Sequence, residues 1–166
     1  MPISSSEFKQ AMQRWASGVC VVTTQSEVYG LQGMTVSAFS SVSAEPPLIL
    51  CCLNNQADSM NGIVESQHFG VNFLTRMQQE TSNQFAGRCS HEERFKANPW
   101  YSGATTGVPL LSESLVSLEC QLINKVRAGS HWIVIGQIEA TEIRTGEPLL
   151  YYCADYKGLA ENDPSV

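Results

Sequence analysis

The sequence predicts a mainly β fold, an antiparallel, Greek-key-like barrel with a few short helices, and three observations carry that prediction. Stretches in which apolar and polar residues alternate at the strand period recur along the chain, about seven in all. The helical stretches stand before or between these strands without the regular alternation of βαβ units. The length, 166 residues, suits a single core closed by short strands.

Ser4, Ser5, Ser6 and Glu7 form a capping cluster ahead of Phe8, Ala11, Met12 and Trp15, which recur at helical spacing, and Gly18 closes that amphipathic helix. Val19 to Thr24 is short and β-branched and reads as a strand. Thr35 to Ser43 alternates Val36, Ala38 and Ser40 against Ser37, Phe39 and Ser41 and reads as the next, with a turn over Gly30 to Gly33 between them. Pro46 and Pro47 fit ahead of a strand and not inside one, so the third strand runs from Leu48 to Leu53 and breaks at Asn54 and Asn55. Asp58 can cap a short helix carrying Met60, Ile63 and Val64, and Phe69 to Leu74 returns to a strand. The following helix sets Met77, Thr81 and Phe85 on one face and ends at Gly87.

Pro99 to Leu111 is rich in Gly, Pro, Ser and Thr and reads as a loop of about a dozen residues, a length that suggests a functional role. Two long strands follow. Val116, Leu118, Cys120 and Leu122 share a face of the first, and Trp132, Val134, Gly136 and Ile138 share a face of the second. Leu149 to Tyr152 is the last short strand. Trp15 and Trp132 fall at apolar phases and are expected in the core. Residues 1–159 are expected to form one domain, and 160–166, polar with a late proline, a flexible tail.

A net charge of −6 with ten Lys plus Arg argues against a nucleic-acid binder, because neutralising phosphates takes clustered cations. The start, Met1-Pro2-Ile3-Ser4, lacks the basic and apolar pattern of a secretory signal. The longest apolar run, Pro46 to Leu53, is far short of the roughly 20 residues that cross a membrane. Cys20, Cys51, Cys52, Cys89, Cys120 and Cys153 show no C-x-x-C spacing, so no metal site is expected. Cys51 and Cys52, adjacent on a strand, read as small hydrophobes on opposite faces. A reducing cytoplasm is the expected location.

Dinucleotide, Walker and nucleophile-elbow motifs are absent, so a nucleotide-like ligand would be held by other means. Three stretches offer small polar residues and exposed backbone. These are Gly33-Met34-Thr35-Val36-Ser37, then Cys51-Cys52-Leu53-Asn54 leading to Ser59 at a helix start, and Phe85-Ala86-Gly87 with Arg88. Hydroxyls, helix-terminal N–H groups and one or two arginines can hold a phosphate without a basic patch. Spacing alone leaves Thr35, Ser37 and Ser41 equally readable as the solvent face of a strand. It likewise leaves His131, His68 and His91 readable as structural histidines.

Arg14-Trp15-Ala16-Ser17-Gly18-Val19, Gly33 through Ser43 and Pro46-Pro47-Leu48 closely resemble the flavin reductase-like family, the short-chain reductase components of two-component flavin monooxygenases. Phe69 to Leu74, Phe85-Ala86-Gly87, Glu93-Arg94-Phe95, Gly129-Ser130-His131 and Pro148 to Tyr152 agree with it in order, over roughly Phe8 to Leu159. The resemblance implies an FMN-binding split barrel and a homodimer with flavin near the subunit interface. It implies an NAD(P)H:flavin oxidoreductase that moves hydride to FMN or FAD and supplies a partner monooxygenase. Flavin contacts are implied at Gly33, Met34, Thr35, Val36, Ser37, Cys51, Cys52, Leu53, Asn54, Ser59, Phe85, Ala86, Gly87 and Tyr152. His131 takes the position that the family sets near the nicotinamide.

The chain departs from that pattern after Tyr151-Tyr152, where Cys153-Ala154-Asp155 replaces an arginine and glycines. Loss of a cation and gain of Asp155 favour NADH over NADPH. The competing reading is a non-catalytic flavin-binding electron carrier that keeps its FMN and is reduced by a protein partner. Split barrels also host pyridoxamine-phosphate oxidation and haem binding.

Overall fold

Serine at position 4 starts the first helix as its sequence requires. Its Oγ accepts the Glu7 N–H at 3.2 Å, while the Glu7 carboxylate accepts the Ser4 N–H at 2.9 Å. The computed structural model describes residues 1–87 and 89–160; Arg88 and 161–166, most of the expected tail, lie outside the described residues. In chain order the first elements are α1 (Ser5–Met12), β1 (Ser17–Gly18), β2 (Cys20–Ser26), β3 (Gly30–Val36), β4 (Phe39–Ala44), β5 (Pro47–Asn54), α2 (Ser59–Ser66) and β6 (His68–Phe73). They continue as α3 (Gln79–Ala86), α4 (His91–Ala97), β7 (Trp100–Ser102), β8 (Pro109–Leu111), β9 (Val116–Ala128), β10 (His131–Ile143), β11 (Leu150–Tyr152) and β12 (Asp155–Lys157).

Seven strands form the main sheet in the order β3-β2-β6-β9-β10-β5-β4, every neighbouring pair antiparallel. Its two edges, β3 and β4, are consecutive in sequence and joined through Ser37 and Ala38. The sheet therefore closes on itself with a split along that connection. This corrects the single strand expected over Thr35 to Ser43. Polar alternation continues across the break, but the chain must leave β2 and cross to β5, where Cys52 N–H donates to the Ala38 carbonyl at 2.9 Å. The expected turn at Gly30 to Gly33 is also corrected. The hairpin turns over 27–29, and Gly30, at φ +66°, opens β3.

Alternation along β2 feeds two cores. Cys20 and Val22 join Cys51, Leu53, Phe69, Val71, Cys120 and Val134 inside the barrel, with Met60 and Ile63 of α2 packed on them. Val19 and Val21 face the other way, into a second cluster with Leu74, Phe85, Phe95, Leu111 and Leu149. Burying a side chain the size of Phe85 stabilises by about 1.5–3 kcal/mol. Gly136 sits where a Cβ would lie 2.4 Å from the Phe69 ring, so the barrel wall requires glycine there. Burial pushes the thiols of Cys20 and Cys120 up to about 12, as fits cysteines that serve as core hydrophobes.

Three further expectations change. The expected loop over Pro99 to Leu111 contains the β7–β8 hairpin, and its tip wraps the buried Glu119 carboxylate, which accepts N–H groups of Thr105 and Thr106. Helix α4 was not expected, nor was β12, which pairs with β11 beside β1 in a small second sheet. Trp15 is 75 % exposed and not in the core, because α1 ends at Met12 and buries none of its residues in this chain. Trp132 is half-buried, with Lys125 Nζ 5.6 Å from its ring.

Candidate active site

The split is bordered by groups that the sequence had separated widely. Along the edge strand β3, Gly33 pairs with Thr23 but directs its N–H and C=O outward, to His91 and Arg94 of α4. Antiparallel alternation gives Thr35, two residues on, the same orientation, so its peptide faces away from β2 toward the split. The Thr35 side chain is already engaged, donating to the Ser82 carbonyl at 2.7 Å. Met34 and Val36 turn their side chains toward the barrel core and, by the same alternation, their backbone groups toward β2, so neither offers a ligand a free group of its own. Ser37 is exposed in the connection itself.

Across the split stands the end of β5. Cys51 and Leu53 are fully buried, whereas Cys52 is half-buried and Asn54 exposed. In the β10–β5 register His131 lies opposite Asn54, and Asn55 N–H donates to the Ser130 carbonyl at 3.0 Å. Gly129 makes this approach possible, since the two-residue turn joining β9 to β10 needs its φ of +59°. His131 is exposed, with Nδ1 2.9 Å from the Ser130 hydroxyl. The structure thus sets His131 opposite Asn54, while the Ala38 carbonyl ties the connection after β3 to Cys52 of the same strand.

Helix α2 begins at Ser59, whose hydroxyl is buried without a hydrogen-bond partner. Arg94 Nε on α4 is likewise buried and unpartnered. Among the described residues four buried side-chain atoms lack a partner, Gln32 Oε1, Ser59 Oγ, Arg94 Nε and Ser114 Oγ, and the two that can donate from α2 and α4, Ser59 Oγ and Arg94 Nε, would be satisfied by a ligand with acceptor oxygens. A phosphate-bearing flavin fits that donor set: a serine hydroxyl at a helix start, a guanidinium N–H and the peptide of Thr35.

Phe85, Ala86 and Gly87 close α3 near this border. The Phe85 ring is buried beneath Gly33, where a Cβ would fall 2.7 Å from it, so its side chain supports the strand and its neighbours offer backbone. Tyr152 stands apart, on the small sheet with β1 and β12. Asp155, read from sequence as a source of repulsion, is paired with Lys157 at 2.6 Å.

From sequence His91 and Arg94 carry no role at the site: His91 reads as a structural histidine and Arg94 only as part of Glu93-Arg94-Phe95. Their signal was present, since Ser90 and Glu93 spell a capping box and the structure forms it. Burial, followed by the Arg94 charge, lowers the His91 pKa, with Asp58 opposing. Its Nδ1 accepts the Gly33 N–H, so the neutral ring carries its proton on Nε2.

Together these features describe a class, a split antiparallel barrel with backbone donors, hydroxyls and two histidines, His131 and His91, on its bordering elements. The chain matches the flavin reductase like domain over residues 12–160, and it belongs to that family. It is 33 % identical over 162 residues to FMN reductase (NADH) RutF of Stutzerimonas stutzeri, covering 97 % of this chain and 92 % of that one. It is 34 % identical over 154 residues to the NADH-dependent flavin reductase of a Rhodococcus species, covering 92 % of this chain and 85 % of that one. BorF, the flavin reductase component of a bacterial two-component tryptophan halogenase, superposes with a TM-score of 0.87 at 31 % identity, covering 96 % of this chain and 100 % of that one.

Proposed function

We propose that this protein is an NADH-dependent flavin reductase that binds FMN or FAD in the barrel split and releases reduced flavin to a partner flavin-dependent oxygenase. The observation that carries the reading is that the end of β5 is paired with His131 on one side and bonded to the connection after β3 on the other, with two buried donors, Ser59 Oγ and Arg94 Nε, unpartnered among the described residues. The names of its relatives support NADH as donor, and the halogenase reductase supports a two-component setting.

The bound flavin supplies a hydride acceptor for the dihydronicotinamide. The chain's part is placement and charge. The outward groups of Thr35 and the N–H of Asn54, the one that alternation turns from β10 beyond the Cys52–Ala38 bond, would orient the ring system and favour negative charge on it. Ser59 and Arg94 Nε hold phosphate oxygens. His131, exposed at the barrel mouth beside Asn54, positions the nicotinamide over the flavin. Hydride transfer asks for no side-chain base, which fits a cleft containing one histidine at its mouth.

The same reading includes one catalytic domain over 1–159, a cytoplasmic location and a homodimer. For the dimer the support is α1 and the turn after it, where Phe8, Met12 and, past the helix end, Trp15 are all exposed. Sedimentation equilibrium returning a fully active monomer would remove the dimer from this account. The function is tested by NADH oxidation with added FMN, FAD or riboflavin. A rate that saturates with free flavin supports the reductase; retained flavin without NADH oxidation supports the electron carrier.

A further inference from the structure

Helix α4 grips one residue of β3, Gly33, by both its N–H and its C=O. His91 Nδ1 accepts the Gly33 N–H at 3.2 Å, and Arg94 Nη1 donates to the Gly33 carbonyl at 2.7 Å. The same guanidinium donates through Nη2 to the Gly87 carbonyl at 2.8 Å. Arg94 therefore ties the β3 edge to the end of α3.

We propose that His91 and Arg94 are positioning residues, a clasp that fixes the edge of β3 so that the Thr35 peptide meets the flavin, and that protonation of His91 opens it. The proposal rests on the flavin site described above. Gly33 and Thr35 share one orientation along the strand, so a shift at the first peptide re-aims the second. The clasp works only while Nδ1 is an acceptor. A proton there would set donor against donor at Gly33 and place a second cation 3.4 Å from Arg94 Nη1.

The charges around His91 decide when that happens. Arg94, on its own helix, disfavours the proton, and Asp58 at the start of α2 favours it. Glu92 and Glu93 are exposed, the latter held by Ser90, and β3 brings only the Gly33 peptide. Glu80 of α3 lies at the far end of α4, beside Ala97 and Asn98. Burial is the larger cause and the Arg94 charge adds to it, so the ring is neutral and the clasp closed at neutral pH.

Helix α4 has a separate anchor. Phe95 is buried edge-on against Phe85 at 5.3 Å and Trp100 at 5.9 Å, so substitutions in the clasp leave the helix its core contact.

The test is FMN binding, followed by fluorescence from about pH 8 to about pH 5.5, for the wild type, His91→Asn and His91→Leu. Asparagine offers an acceptor oxygen near the Nδ1 position and does not titrate. The phosphate of FMN titrates in the same range, so the wild type is read against His91→Asn. The expected result is that wild-type affinity falls about threefold more than that of His91→Asn by about pH 5.5, because a lowered His91 pKa leaves the ring only partly protonated there. At neutral pH, His91→Asn should bind within about threefold of the wild type and His91→Leu about tenfold more weakly, with the KM for NADH unchanged. Identical pH profiles for the wild type and His91→Asn would overturn the proposal, and that comparison stands even if His91→Leu fails to fold. A folded His91→Leu with wild-type affinity would overturn it as well. A wild type that binds no FMN at any pH would overturn the flavin site itself, and the clasp with it.

Discussion

His131 lies directly opposite Asn54 in the antiparallel register of β10 and β5, and the Asn55 N–H to Ser130 carbonyl bond locks that turn to the strand end. A side chain held there can act on a ligand lying over Asn54 without supporting the core, because it is exposed. His131→Ala should therefore raise the KM for NADH or lower kcat by about tenfold, with flavin affinity and melting temperature little changed. Steady-state kinetics with each substrate varied separately will show it. Wild-type NADH kinetics in the variant would return His131 to a structural role.

Ser59 and Thr35, both named from the sequence as flavin contacts, should now behave differently. Ser59 carries a buried hydroxyl with no partner, so Ser59→Ala should leave the melt unchanged or slightly higher while weakening flavin binding about tenfold. Thr35 donates its hydroxyl to the Ser82 carbonyl, so Thr35→Val should cost about 1 kcal/mol of stability. Parallel thermal melts and flavin titrations separate the two, and equal losses of stability in both variants would count against the assignment.

Gly33 is required by packing. An added Cβ would stand 2.7 Å from the Phe85 ring and 3.3 Å from the Val22 carbonyl, and neither buried neighbour can easily retreat. Gly33→Ala should destabilise by about 1–3 kcal/mol, and Phe85→Leu in that background should recover part of the loss. Denaturant unfolding of the single and double variants measures this; additive losses would show that the clash lies elsewhere.

Much of the fold was legible because its strands are half-buried. Val116 to Leu122 and Trp132 to Ile138 alternate as strands facing a core must, and Pro47 marks the start of β5 where a ring without N–H is tolerated. The break at Ser37 and Ala38 was hidden, because it is set by pairing with β5 and leaves the local polar pattern untouched. Gly33 looked like part of a turn, yet its glycine answers to Phe85 on a helix some fifty residues away in sequence. Trp15 was misplaced because an amphipathic pattern reports an apolar face without saying what covers it.

The site was legible in a different way. Asn54 and His131, exposed at strand ends, were named by position and resemblance. His91 and Arg94 act on a backbone peptide of another element, and α4 buries only Phe95, so nothing in their own periodicity marked them.

The central claim is that NADH reduces flavin held in the split, and anaerobic mixing of the flavin-loaded protein with NADH tests it most directly. The account predicts rapid loss of the oxidised-flavin absorbance in a single turnover, slowed about tenfold in His131→Ala. Flavin that stays oxidised after NADH is added, yet is reduced by dithionite, would contradict the account and leave a carrier that takes its electrons from another protein.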